Sequence, residues 1–326
     1  MRIAILADVH ANLPALEAVL EDIERQRVDR VIVNGDTVNR GPESVGVMHA
    51  LEGIEHDAVM GNHDDVMLMV VERRDVDVDP WYLDPFWRST RRAAEEVERH
   101  GLLERIRSMP LSLRVEEPGA PSLLVAHGTP RHYREGIGPQ TTPEVISEIT
   151  EEHPADVLVG SHTHRPYLAR WGRYTVLNTG SVGASFTGDP RAHYLILTLR
   201  QGRWHPEFRR VPYDRQRALD AYERTGYLAA GGLSAAIFRE ELRHARSYMV
   251  PFLMWCEEEK LERNETMWSE LFLENTEHLT AEIDGMIEHL QAFRDAVAGK
   301  DEEKLLSLLK EGRELKELAD REDMEE

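Results

Sequence analysis

The chain has 326 residues, with 39 Lys and Arg against 60 Asp and Glu, and a formal net charge of −21 at pH 7. An acidic surplus of this size argues against an extended nucleic-acid-binding face, because phosphate backbones select Lys and Arg. It leaves a small phosphate substrate open, since bound cations can attract phosphate locally. The one cysteine, Cys256, excludes an intramolecular disulfide, and no apolar run approaches the roughly 18 residues needed to span a bilayer. With no basic-then-apolar leader ahead of the first strand, the expectation is a cytoplasmic protein without a membrane segment.

Residues 2–7 form a short apolar run that reads as a buried strand, and Asp8 and His10 follow it directly. From Pro14 to Arg27 the apolar positions Leu16, Val19, Leu20 and Ile23 have helical spacing, with Asn12 suited to the N-cap. The pattern then repeats. Val31 to Val33 precedes Gly35 and Asp36, with Arg40 close behind. Ala58 to Met60 precedes Gly61-Asn62-His63-Asp64. Residues 66–109 hold the aromatics Trp81, Tyr82, Phe86 and Trp87, then a helix expected from Ser89 to Ile106. The aromatic group could overhang a site and stack a base, but packing is the preferred reading. Strands resume at Ser112 to Val115 and Ser122 to Val125; His127 follows, and Val157 to Val159 precedes Gly160-Ser161-His162-Thr163-His164.

Each of these motifs is weak alone. Their force lies in conjunction, because every candidate ligand follows an apolar strand, and binding sites in α/β sheets gather at the carboxyl ends of strands. Asp8, His10, Asp36, Asn62, His127, His162 and His164 together offer imidazole and oxygen donors with no thiolate. That donor set suits Mn, Fe or Zn better than Ca or Mg, and it is too large for one tetrahedral ion. Two metals sharing a bridging carboxylate would fit it, an arrangement used against phosphate esters.

This set of motifs, with Leu177-Asn178-Thr179-Gly180-Ser181 and Gly188-Asp189-Pro190-Arg191 later in the chain, resembles the calcineurin-like metallophosphoesterase superfamily over residues 1–213, in particular its small bacterial phosphodiesterase-type members. The resemblance implies an α/β fold, a four-layer α/β/β/α sandwich, around two divalent metal ions, Mn first and Fe or Zn as alternatives. By position, Asp8, His10 and His164 would hold one metal, Asn62, His127 and His162 the other, and Asp36 would bridge. His63 would be the general acid or hydrogen-bond donor at the leaving group, and a metal-bound water or hydroxide the nucleophile. Arg40 resembles the phosphate-gripping arginine of phosphoprotein phosphatases, although Asn39 stands where those enzymes have an Asp and can bond an imidazole without stabilising its cation. Arg131 and His132 could line the pocket but read better as loop charge. His49, His56, His100, His153, His193 and His205 fit no pattern.

Beyond Pro212 helix-forming residues dominate, giving a boundary between a catalytic domain (1–213) and a helical extension (214–326). Residues 214–256 read as two helices separated by Gly231-Gly232, with Pro251 bending or ending the second. From Glu257 onward there are 23 acidic and 9 basic residues. Leu279, Ile283, Met286, Leu290, Phe293 and Val297 form a coiled-coil-like seam; Gly299 ends that helix, Asp301 caps the next, and Leu305 to Leu318 gives a second stripe. Residues 267–317 resemble the dimerising helices of prephenate dehydrogenases, without their dinucleotide-binding glycines. The expectation is a homodimer through the C-terminal helices, and a phosphodiesterase for small nucleotides or cyclic nucleotides. A phosphomonoesterase, a dinucleoside-polyphosphate hydrolase, a phosphoprotein phosphatase, a nuclease and a non-catalytic scaffold are the alternatives.

Overall fold

The computed structural model describes residues 1–258 and 291–310. In chain order the first half holds β1 (Arg2–Leu6), α1 (Leu13–Gln26), β2 (Arg30–Asn34), α2 (Ser44–Glu52), β3 (Asp57–Val59), α3 (Asn62–Glu72), α4 (Arg88–Arg99) and α5 (Leu103–Arg107). The second half adds β4 (Ser112–Val115), β5 (Leu123–Ala126), α6 (Pro143–Glu152), β6 (Val157–Gly160), β7 (Tyr167–Trp171), β8 (Tyr174–Asn178), β9 (Ala192–Arg200) and β10 (Arg203–Val211). The helices α7 (Arg215–Arg224), α8 (Tyr227–His244) and α9 (Met249–Glu258) follow.

Two mixed five-stranded sheets form, ordered β10-β9-β1-β2-β3 and β4-β5-β6-β8-β7. The inner strands of each are parallel: β1 to β2 to β3, and β5 to β6 to β8. Alternation along each strand sends side chains to opposite faces. Ile3, Ile5 and Ile32 meet Val125, Val159 and Leu177 between the sheets. On the outer face of the first sheet, Ala4, Leu6 and Val33 pack on Leu16, Val19 and Ile23 of α1. On the outer face of the second, Leu124, Leu158 and Val176 pack on Ile146 and Ile149 of α6. This is the four-layer α/β/β/α sandwich, with the carboxyl ends of six parallel strands along one rim.

Asn12 caps α1 by accepting a hydrogen bond from the Ala15 amide at 3.2 Å. The helix expected from Ser89 to Ile106 is two helices. Gly101 takes φ +71°, and the Leu102 amide closes back on the Val97 carbonyl at 3.1 Å, a left-handed C-terminal stop. The segment after 213 holds three helices within 215–258 rather than two. Gly226 (φ +68°) separates α7 from α8, Gly232 (φ +63°) only kinks α8, and Pro251 sits in the first turn of α9, where its missing N–H costs no helical bond.

The chain divides into compact units of residues 1–263 and 264–326. Helices α7 to α9 belong to the first, where Phe86, Leu219, Tyr222, Phe238 and Leu242 share one core. The first compact unit thus runs past the change of composition at 213. In the second unit, helical stretches at 291–299 and 302–310 are separated by Lys300 (φ +53°), and Asp301 accepts from the Lys304 amide at 3.0 Å. Most of the expected seam and stripe lies outside the described residues.

Candidate metal centre

The strand ends bring the seven expected ligands to one place. Asp8, His10 and His164 form one group whose donor atoms lie within 4.8 Å of one another; Asp36, His127 and His162 form a second; and His10, Asp36 and His63 connect them. Asn62 joins the second group, its Oδ1 3.2 Å from His127 Nε2. All but His162 are buried. His127 Nε2 is 3.3 Å from Asp36 Oδ2, His10 Nε2 is 3.7 Å from the same oxygen, and His164 Nε2 is 3.3 Å from Asp8 Oδ1.

Two ring orientations are fixed from behind. His127 donates from Nδ1 to the Asn34 carbonyl at 2.8 Å, and His164 from Nδ1 to the Ala184 carbonyl at 2.5 Å. Each bond commits Nδ1 as the donor and turns Nε2 inward, the orientation a ligand needs. Phe186 stacks on the His164 ring at 4.3 Å and 10°.

The residues fit a metal by one further observation. Asp8 Oδ1 and Asp36 Oδ2 are buried and have no hydrogen-bond partner. Carboxylate oxygens are costly to bury unsatisfied, and cations would satisfy both. The electrostatics agree. Burial would lower the His127 pKa, but the negative charge of Asp36 at 3.3 Å overcomes it and pushes it up to about 10. Burial would raise Asp36, yet His127 and His63 hold it well below the usual carboxylate range. Burial lowers His162 to about 4 and His63 to about 3, with Arg40 adding to the latter.

The backbone is strained where the ligands sit. Asp8, His10, Asp36, His162 and His164 all have φ between +48° and +60°, a region that non-glycine residues seldom adopt and that clusters at functional sites. Asp64 holds two of these loops together, accepting from the amides of Asp36, Thr37 and Gly61 at 2.7, 2.9 and 3.0 Å. Gly61 is required because a Cβ there would lie 2.2 Å from Asp36 Oδ1.

His63 lies at the rim. Its backbone N–H donates to Asp36 Oδ1 at 2.7 Å, and its ring meets His10 edge-on at 4.9 Å. Asn39 Oδ1 accepts from the Arg40 amide at 2.8 Å, which turns the Asn39 amide nitrogen toward His63 Nδ1 at 2.9 Å. The network thus assigns Nδ1 as acceptor and puts the His63 proton on Nε2.

Arg40 does not present a free guanidinium. It is paired with the buried carboxylate of Glu241 on α8 and packed against Phe186 and Phe238 at 5.3 and 4.9 Å. Arg131 is held by Glu135, and the His132 ring accepts from the Arg134 amide at 3.1 Å, so both are tied within their own loop. Phe86 and Trp87 pack into the core of α7 to α9, Trp81 packs beside α4, and Tyr82 bonds the Arg74 carbonyl at 2.9 Å. Sequence reasoning missed Glu241, Asp64 as a loop anchor, and the carbonyls behind His127 and His164. Asp64 closes the Gly61-Asn62-His63-Asp64 motif and Glu241 is an acidic residue at an apolar position of α8 between Phe238 and Leu242; the carbonyls left no trace.

The family model of the calcineurin-like phosphoesterase superfamily domain matches residues 1–202. The chain belongs to this superfamily. It is a metal-dependent phosphoester hydrolase of that family, with a buried cluster of His and Asp that could hold metal. A protein of Methanocaldococcus jannaschii is 25% identical over 234 residues, covering 67% of this chain and 90% of its own length. The symmetrical bis(5'-nucleosyl)-tetraphosphatase of Chromohalobacter salexigens is 30% identical over 171 residues, covering 51% of this chain and 58% of its own. Phosphodiesterase YfcE of Escherichia coli is 25% identical over 206 residues, covering 60% and 87%. Among solved structures, a metallophosphoesterase from Sphaerobacter thermophilus superposes with a TM-score of 0.56 at 23% identity, covering 75% of this chain and all of its own. A Pyrococcus horikoshii protein does so with 0.61 at 20% identity, covering 76% and 99%. No helix among the described residues is long and apolar enough to cross a membrane.

Proposed function

We propose that the chain is a dinuclear metal-dependent phosphodiesterase acting on small nucleotide or cyclic-nucleotide substrates. The observation that carries the dinuclear reading is Asp36 Oδ2: buried, without a hydrogen bond, and shared between the His10 and the His127 sides of the centre at 3.7 and 3.3 Å. A carboxylate shared in this way supports a bridging role for Asp36. Asp8, His10 and His164 would hold one ion, and Asn62, His127 and His162 the other. Two divalent cations, manganese first and iron or zinc as alternatives, would polarise the phosphoryl oxygens and lower the pKa of water. Asp64 and the carbonyls of Asn34 and Ala184 keep the ligand set aimed. His63, with its proton on Nε2, would donate a hydrogen bond to the leaving oxygen.

Likeness to phosphodiesterase YfcE supports the diester preference, and likeness to the tetraphosphatase supports a dinucleoside polyphosphate as a second substrate reading. Turnover of metal-stripped protein refilled with Mn, on paired chromogenic diester and monoester substrates with metal content measured alongside, tests the proposal. Faster Mn-dependent cleavage of the diester at two ions per chain supports it; one ion per chain, or faster cleavage of the monoester, overturns it. We also propose a cytoplasmic homodimer formed through residues 214–326, for which sedimentation of the full chain is the test of assembly.

A further inference from the structure

We infer that Glu241, on helix α8, is a specificity-determining residue: by neutralising and immobilising Arg40, it sets the site for monoanionic phosphodiesters against dianionic phosphomonoesters. This rests on the phosphodiesterase reading.

Three residues beyond residue 213, on two helices, converge on Arg40. Glu241 binds its guanidinium through Oε2, Phe238 of the same helix covers its cation at 4.9 Å, and Tyr222 of α7 donates to its carbonyl at 3.0 Å. The glutamate is itself anchored, since its Oε1 accepts from the amides of Tyr248 and Met249 at 2.8 and 2.9 Å where α9 begins. Glu241 is 1% exposed and the Arg40 side chain 11%. A buried charge pair with this many partners is a fixed feature rather than a chance surface contact. The Arg40 backbone is held at φ +66°, next to Asn39 at +67°.

The pair stands beside the centre: the Phe186 ring that Arg40 covers at 5.3 Å stacks on His164 at 4.3 Å, and His10 and Asn12 line the same small cleft as Arg40 and Glu241, so the net charge of the pair bears on a phosphate bound next to them. A lone buried arginine would favour a second negative charge on the substrate, as a monoester carries near neutral pH. A pair of zero net charge withholds that preference, while its planar hydrogen-bonded face still shapes the wall. The same carboxylate gives the helical segment after 213 a direct part in substrate choice.

Replacing Glu241 by Gln keeps one carbonyl oxygen to accept from the two amides, turns an NH2 toward Arg40 in place of the carboxylate oxygen, and so frees the arginine charge. In Glu241→Gln, kcat/KM for a chromogenic monoester should rise relative to the diester by about tenfold. Inorganic phosphate should bind the Mn-loaded variant about tenfold more tightly by titration calorimetry. An unchanged ratio, or parallel loss on both substrates, overturns the inference. The double variant Arg40→Gln/Glu241→Gln removes both charges and leaves no buried charge unpaired, so it also serves if the single variant fails to fold. Its substrate ratio should stay within about threefold of the unmodified chain; a selective loss of monoester turnover would show that Arg40 grips phosphate as a free cation. The calorimetric arm stands apart from turnover. Failure of the unmodified chain to cleave either ester would count against the phosphodiesterase reading alone, whereas unchanged phosphate affinity in Glu241→Gln would count against the role of Glu241 alone.

Discussion

The loops at the strand ends and the helices after residue 213 contribute to the same pocket by opposite means. The loops carry their chemistry in short local strings, each following an apolar strand, and their residues meet because parallel strands end on one rim. Helices α7 and α8 carry no such string. Their contribution, Glu241 with Phe238 and Tyr222, reaches Arg40 only because an apolar stripe packs α8 beside the sandwich. The residues proposed to handle the reaction are thus tied to the backbone of the sheet. The residue assigned here to substrate choice is delivered by packing, which can be altered without disturbing the ligands.

Perturbations of the two regions should differ in kind. On the loop side, Asp36→Asn removes the proposed bridge and should lower turnover by roughly a thousandfold, with loss of metal seen by elemental analysis; full activity with both ions retained would break the dinuclear assignment. His63→Asn should lower kcat by about a hundredfold or more while metal content stays intact; loss of metal instead would make His63 a ligand. One layer further back, Asn39→Ala leaves the His63 ring unoriented and should cost about tenfold in kcat, with KM little changed in steady-state kinetics. On the helix side, Tyr222→Phe deletes only the hydroxyl that bonds the Arg40 carbonyl. It should lower stability by about 1 kcal/mol in urea unfolding, with kcat on the diester within about twofold; a large kcat loss would put α7 in the reaction machinery and erase the contrast.

Much of the centre was legible because its signals are local. A strand ending before Asp8, Asp36, Asn62, His127 and His162 is readable from apolar runs, and their order is readable as a family pattern. Arg40 shows the limit. Its position four residues after Asp36 says that it lies near the site, but its partner is 201 residues away. Gly101 and Gly232 show another limit: both have positive φ, yet one ends a helix and the other only kinks one. The neighbours that decide between those outcomes are not in the local string.

The sequence by itself determined the alternation of strands and helices, the donor types gathered at the centre and the strand ends on which it forms, because strand periodicity and residue type act over a few positions; the α/β/β/α layering came from the resemblance that its ordered motifs carry. Tertiary structure decided the rest. It forced the ligand backbone into left-handed conformations at Asp8, His10, Asp36, His162 and His164, since packed loops can hold strain that an isolated segment would release. It gave His127 and His164 their tautomers through carbonyls distant in sequence. It also took a cation that a short motif presents as free and buried it against Glu241, because the charge on a side chain depends on what surrounds it in space, and that surrounding is assembled only when α8 docks.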